Sequence, residues 1–267
     1  RYQLAASAVA LSICSFSSAA LAQSTGSVDF EEEIVVTGSL AADVGGVQIP
    51  DTPKSKSVLT DEYIQRQNPG QTVLDTINSI PGVTFTNNDA YGSSGGSLNI
   101  RGFGGDRISL TFDGVPLNDT GNYAIYSNQQ LDPELIQQVN VNLGSTDVDS
   151  PTASAVGGTV NYRTRRPYED FSVRVATSAG QFDFKRVFAS VDSGNLNASG
   201  SRFFVSASKA TNDNPYNNYG KVNKQQYNAS LFQPIGDNGD FVQVSAHYNQ
   251  NRNNFFGSVA LREDTTG

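Results

Sequence analysis

From Phe171 onward, apolar and polar residues alternate through five successive segments, and this period of two most narrows what the chain can become. Phe171, Val173 and Val175 interleave with Ser172, Arg174 and Ala176; Val187, Ala189 and Val191 interleave with Phe188, Ser190 and Asp192. Phe203, Val205 and Ala207 repeat the pattern, as do Tyr227, Ala229 and Leu231, and then Val242, Val244, Ala246 and Tyr248. Successive strand side chains point to opposite sides, so each segment predicts a strand of about ten residues with one apolar and one polar face. Two architectures satisfy that pattern: a transmembrane barrel, apolar outside, or a soluble sandwich with one wet face. The connections bear on the choice. Residues 193–200 and 234–239 turn on one side, and the Asn-rich stretch 210–222 connects on the other. Short turns on one side and longer loops on the other are the asymmetry of a barrel, although the turn at Ala179, Gly180 and Gln181 is itself short.

The start of the chain says where such strands would go. Arg1 reads as the remnant of a positive n-region, an apolar run extends from Leu4 to Phe16, and Ala20-Leu21-Ala22 is an A-x-A cleavage signal. Residues 1–22 are therefore expected to be a signal peptide, leaving Gln23 as the new N-terminus. The single cysteine, Cys14, lies inside it, so the exported chain has no disulfide framework and no Cys-ligated metal. The sequence contains no Met, and residues 263–267 read as a loop cut midway, so a longer chain is expected. With 18 basic and 26 acidic residues the net charge is −8, the wrong sign for a nucleic-acid footprint. No later segment approaches the ~18 consecutive apolar residues of a membrane-spanning helix. An exported chain is then soluble outside the cytoplasm or a closed barrel in an outer membrane.

Between export signal and strands lie two further regions. Residues 23–49 hold a small, polar, coil-like stretch, then Glu33 and the β-branched run Ile34, Val35, Val36 and Thr37, ended by Gly38, then a Gly/Pro-bearing linker over 41–53. A short β-prone segment on a tether suits addition to another protein's sheet edge, and it equally suits an ordinary first strand. Residues 50–166 mix helix and strand signals and predict one α+β domain. Thr60 can cap a helix with Asp61 and Glu62 in its first turn. Asn68-Pro69 reads as the start of a second helix, with Val73, Leu74, Ile77 and Ile80 on one face and Pro81-Gly82 as its stop. Asp132-Pro133-Glu134 caps a third. Strands are expected at 97–101, at 108–112 running into the turn pair Asp113-Gly114, half-buried at Val139, Val141 and Leu143, and at 159–164. Two long loops remain, 87–96 and 118–130.

The order of these segments resembles the TonB-dependent outer-membrane receptor family, from the β-prone run to the last residue. Glu33 to Gly38 is similar to its TonB box, and Ile80-Pro81-Gly82-Val83 to the end of its early plug helix. Ile100-Arg101-Gly102 resembles its plug "IRG" strand, Asp113-Gly114-Val115-Pro116 its "DGVP" hairpin, and Gly157-Gly158-Thr159-Val160-Asn161 the strand that ends the plug. The resemblance implies a plug over 50–166 filling a barrel of about 22 strands, of which about five fall within 167–267. It implies that Glu33, Ile34, Val35, Val36 and Thr37 couple to the periplasmic domain of TonB. Arg101, Gly102, Asp113, Gly114, Gly157 and Gly158 would be structural plug residues, with Arg101 in a buried charge lock to barrel carboxylates. One departure stands out: Leu143 precedes Gly144 where the family often carries a second Arg of that lock.

Gly92-Ser93-Ser94-Gly95-Gly96 fits the nucleophile-elbow pattern but lacks the strand before and the helix after, so no enzyme is expected. His247 reads as a lumen-facing polar residue, and Asp147 and Asp149 as a solvated turn, so no metal or cofactor is expected. Tyr91, Tyr123 and Tyr126 with Asn87, Asn88, Asn122 and Asn128 form an aromatic and amide surface on the two long loops, suited to planar polar ligands. By the resemblance, the expected cargo is a ferric siderophore, with an oligosaccharide as the alternative, taken up by a monomeric receptor in outer-membrane lipid. A soluble exported binding protein is the remaining class.

Overall fold

The computed structural model describes residues 42–254, apart from 45, 46, 50–54, 69, 145, 147–151, 153, 215–219 and 237. The export signal, Glu33 to Thr37, Asp147 and Asp149, and the chain beyond 254 lie outside the described residues. Among the described residues no helix is long and apolar enough to cross a membrane.

Where a linker is expected, the chain forms a hairpin. Strands β1 (Ala42–Val44) and β2 (Val47–Ile49) pair antiparallel, and β2 continues onto β3 (Lys56–Thr60) through Val47 opposite Leu59 and Gln48 opposite Val58. Helix α1 (Asp61–Gln65) follows Thr60 as expected from its acidic first turn. The second helix is shorter than its sequence signal. Asn68-Pro69 does not start it; Gly70 holds φ +106, which breaks the helical path, and α2 (Val73–Thr76) begins after Thr72 and tightens into a single 3-10 turn, Ile77–Ser79. The third is one 3-10 turn, Pro133–Leu135. Strands β4 (Val83–Asn87), β5 (Gly96–Ile100) and β6 (Phe103–Gly104) form a small antiparallel sheet.

Strands β7 (Ile108–Phe112) and β8 (Val115–Pro116) are joined by Asp113 at φ +46 and Gly114 at φ +82, both left-handed, as a two-residue hairpin turn requires. Asp113 also accepts the Thr164 N–H at 2.9 Å, tying the turn to the end of the domain. With β9 (Ile136–Leu143) and β10 (Gly158–Thr164) these strands complete a seven-stranded sheet of order β1-β2-β3-β9-β10-β7-β8, parallel only between β10 and β7. One face is apolar: Leu59, Val139, Val141, Val160, Tyr162, Ile108 and Leu110 pack on Ile64, Leu74, Ile77, Phe85 and Ile100 in one core. The other face is polar and also buried, carrying Ser109, Thr111, Asn140, Asn142, Thr159 and Asn161. Thr111 Oγ1 donates to Asn161 Oδ1 at 2.5 Å and Asn142 Nδ2 to Thr159 Oγ1 at 2.8 Å. The half-buried expectation for β9 is thereby corrected. Its valines alternate as those of a half-buried strand do, but side-chain hydrogen bonding lets its polar residues be buried as well.

Beyond Pro167 the chain forms a five-stranded antiparallel meander: β11 (Phe171–Gly180), β12 (Phe184–Ser193), β13 (Arg202–Asp213), β14 (Lys221–Ile235) and β15 (Asp240–Asn253). The later strands are longer than the ten residues expected, because polar positions such as Asn212, Asn223 and Asn251 stay in register where the sequence reads as loop. The expected loop 210–222 shrinks accordingly. The alternation holds: Phe171, Val173, Val175, Val187, Val205, Leu231, Val244 and Tyr248 are exposed on one face, while Phe188, Ser190, Asp192, Phe204, Gln226 and Ser230 are buried on the other. The sheet is open, and its polar face is turned to the α+β domain.

Candidate functional site

The two long loops of the α+β domain meet the end of the sheet that carries the 181–183 turn, here called the apical end. In the first loop Asp89 acts as an internal hub. Its Oδ1 accepts Ser94 N–H and Oγ–H, both at 2.8 Å, and its Oδ2 accepts Tyr91 N–H at 3.1 Å. The loop so shaped delivers Tyr91 to the wall. The Tyr91 ring stacks on Phe184 at 3.7 Å with an 11° interplanar angle, and its hydroxyl donates to Gln181 O at 3.1 Å. The buried Ser93 and Ser94 are followed by strand β5, not a helix, so the elbow-like motif is loop scaffolding.

The second loop is built around Asn118, whose Nδ2 donates to Ile108 O and Tyr123 O and whose Oδ1 accepts Leu110 N–H. Asp119 Oδ1 accepts Gly121 N–H at 2.7 Å, and Asn122 Oδ1 accepts Ala124 N–H at 3.0 Å. Tyr123 is held at φ +58, a left-handed conformation uncommon for a large side chain.

The sequence-expected ligand residues therefore divide. Tyr126, 45% exposed, and Asn88 and Asn122 face solvent. Asn87 is spent inside, donating to Asp75 Oδ1 at 2.5 Å; burial pushes the Asp75 carboxyl above its ordinary range. Tyr91 is half-buried against the wall, and Asn128 contributes its main-chain carbonyl to contacts with β15. Neither loop carries a Lys or Arg. Arg101, at φ +50, is exposed and donates to Ser55 Oγ at 3.2 Å, its guanidinium lying over Gly144. Leu143 packs into the core instead of joining it in a charge pair.

A different set of charges joins domain and wall. Arg186 on β12 reaches Glu134 through Nη1 at 2.6 Å and Nη2 at 2.8 Å, and Asp132 through Nη2 at 2.8 Å. Ser208 Oγ donates to Asp132 Oδ1 at 2.9 Å, and Lys224 Nζ to Gln130 O at 2.9 Å. Arg186, Asp132 and Glu134 are 4 to 8% exposed. Burial pushes the Asp132 carboxyl up, while Arg186 pulls it back down. At the far end, Arg165 grips Asp192 through two bonds of 2.7 and 2.9 Å, where the domain passes into β11. Leu135 fills the space between, against Phe188 and Phe204. In the sequence Asp132 and Glu134 read only as the cap of a short helix and Asp192 only as part of a strand alternation, and Arg165, Arg186 and Lys224 carry no signal of their own. Parity alone could have found one partner, since Arg186 and Asp192 share the inward face of β12 with Phe188 and a buried charge requires a counter-charge.

Domain and sheet thus define a class: a plug seated against the polar face of a β wall whose other face is apolar. Residues 48–159 match the TonB-dependent Receptor Plug Domain family model, so the α+β domain is a plug domain of that type. Among curated proteins it is similar to "Ferric enterobactin receptor PirA" of Pseudomonas aeruginosa, 27% identical over 122 residues, covering 42% of this chain and 16% of that protein. It is also similar to "Probable TonB-dependent siderophore receptor PiuA" of Acinetobacter baumannii, 25% identical over 137 residues, covering 51% of this chain and 17% of that one. The chain thus spans about a sixth of the length of these relatives. Among solved structures it resembles the pyoverdine outer membrane receptor FpvA of P. aeruginosa, with TM-score 0.62 and 23% identity over 76% of this chain and 28% of that chain. The PiuA structure from A. baumannii gives 0.59 and 20% over 78% of this chain and 28% of that one. At these identities the structural matches speak for the fold.

Proposed function

We propose that this chain is part of an outer-membrane receptor that binds a scarce extracellular ligand and imports it with energy delivered by TonB. The ligand in this reading is a ferric siderophore. The observation that carries it is the plug docked by buried ion pairs on the polar face of a sheet whose other face is apolar. That is the arrangement of a lumen blocked from within and a wall facing lipid. The names of both curated relatives supply the siderophore. In this reading the apical end faces outward, and Tyr91, Tyr123, Tyr126, Asn88 and Asn122 lie toward the ligand. Ile34 to Thr37 adds as a strand to the periplasmic domain of TonB. The receptor is a monomer and not an enzyme, and it uses no cofactor; iron is cargo.

The absence of Lys and Arg from both apical loops favours a second reading, an uncharged oligosaccharide ligand held by tyrosines and amides. One experiment separates the two. The full-length protein is expressed in a Gram-negative strain lacking its own siderophore receptors and supplied with radio-iron as ferric enterobactin or ferripyoverdine. Saturable uptake that disappears on deletion of TonB is the expected result. Absence of binding and uptake for every ferric siderophore, together with growth on oligosaccharides, would replace the siderophore reading with the second.

A further inference from the structure

Strand β15 places Asn249, Asn251 and Asn253 at alternate positions on its inward face, and the pairing sets Gln226 opposite Asn249 and Lys224 opposite Asn251. All five side chains donate to main-chain carbonyls of the plug. Asn249 Nδ2 reaches Asn128 O at 3.2 Å, and Asn253 Nδ2 reaches Ser93 O at 3.1 Å. Asn251 Nδ2 bridges both, at 2.5 Å to Ser93 O and 3.4 Å to Asn128 O. Gln226 Nε2 and Lys224 Nζ converge on Gln130 O at 2.6 and 2.9 Å. The carbonyl oxygens of Asn249, Asn251, Asn253 and Gln226 are buried without a partner among the described residues. The donor ends are what the site uses.

The clamped carbonyls have a particular position. Ser93 lies two residues after Tyr91, and Asn128 two residues after Tyr126. The two loops come from distant parts of the plug, yet Asn251 holds both. We infer that Asn251, flanked by Asn249, Asn253 and Gln226, is the positioning residue that sets the two apical loops, and hence Tyr91 and Tyr126, in fixed relation to the wall. The plug offers only main-chain oxygens, so the clamp constrains where the loops lie without dictating which side chains they carry. Its ligand-positioning part rests on the receptor reading above; the clamp itself does not.

The test uses the full-length receptor. Asn251→Asp keeps size and shape but turns a donor into a charged acceptor aimed at two carbonyls. Amide hydrogen exchange over 88–96 and 123–130 should accelerate about ten-fold, the equivalent of one or two ordinary hydrogen bonds. Exchange in β9 and β10 should stay unchanged. Asn251→Ala should give a smaller acceleration, and Gln250→Ala, on the outward parity of the same strand, none. With ferric enterobactin as probe, the half-saturating concentration for uptake should rise several-fold while the maximal rate holds. Unchanged exchange in Asn251→Asp overturns the clamp, as does acceleration throughout the plug, which would make Asn251 a general folding residue. Faster loop exchange with an unchanged half-saturating concentration overturns the positioning role. If the wild-type receptor takes up no ferric siderophore, the receptor reading fails on that arm alone, and exchange still decides the clamp.

Discussion

Arg186→Ala should loosen the plug from the wall at neutral pH, and the size of the effect follows from what is left behind. Arg186 makes three charge-assisted bonds of 2.6 to 2.8 Å to Glu134 and Asp132. As a whole the cluster is a weak source of stability, since desolvating its charges offsets most of their attraction. Removing one member is different. Two carboxylates 7 and 8% exposed would lose their arginine, with Ser208 and the nearby Lys224 as the remaining support for Asp132. Breaking a buried pair in this way costs about 3–5 kcal/mol, with the loss concentrated in the segment 130–135. The assay is amide hydrogen exchange and denaturant unfolding of the full-length protein. The neutral triple variant Arg186→Met, Asp132→Asn, Glu134→Gln should recover most of the loss, because no unpaired charge remains. Acidification should also recover part of the single variant's loss by protonating the carboxylates. A cost under about 1 kcal/mol for Arg186→Ala, the scale of an exposed pair, or a triple variant as unstable as the single one, would refute a buried ion-pair junction.

Val35→Pro should abolish uptake while ligand binding to cells stays normal, because proline removes a donor from the strand proposed to pair with TonB; wild-type transport in that variant would end the coupling role of Ile34 to Thr37. Replacing Tyr91, Tyr123 and Tyr126 together by Ala should weaken ligand binding by roughly 1–3 kcal/mol for each ring the ligand buries, read by titration with ferric enterobactin. Unchanged affinity would leave these rings as scaffold, the role Tyr91 already has against Phe184. Asp75→Asn should alter how plug stability depends on pH. Burial raises the folded pKa of Asp75 above 3.8, so the folded state binds more protons there and stability falls as pH rises from the ordinary carboxylate value through the raised one, and is level beyond it. The asparagine variant should lose that decline in pH-dependent unfolding, and an identical pH profile would show that burial does not set it.

The parts legible in sequence were those governed by local rules. Period-two alternation placed all five wall strands and their inward faces, and Asp113-Gly114 gave a turn whose two positive φ values the structure shows. The apolar face of α2 is legible for the same reason, since Val73, Leu74, Ile77 and Ile80 are all buried. Its start was not. Asn68-Pro69 has the chemistry of a helix beginning, but Gly70 at φ +106 packs against Phe184 and Arg186, and that tertiary contact ends the local signal. The β1–β2 hairpin escaped notice because three-residue strands carry too little pattern to stand out. Its pairing depends on the edge of β3, which is a property of the folded sheet.

The site was less legible than the fold, and the reason is the kind of contact that makes it. The sequence drew attention to exposed aromatic and amide side chains, residues that advertise chemistry by type. The structure builds the plug–wall junction from pairs 27 to 54 residues apart, Arg165 with Asp192 and Arg186 with Asp132. It builds the apical clamp from side chains meeting carbonyls 94 to 160 residues away, and those carbonyls have no identity in sequence at all. Leu143 makes the same point from the other side. Its place beside Gly144 reads as a missing arginine in the lock that the resemblance implies, yet in the fold it is an ordinary core residue. The charges holding the plug enter instead through the segment before β9 and the connection after β10. Those two points flank one hairpin whose ends pair at Ile136 and Thr164. Fixing both ends of one hairpin to the wall restrains rotation as well as translation, which a single arginine over Gly144 would not.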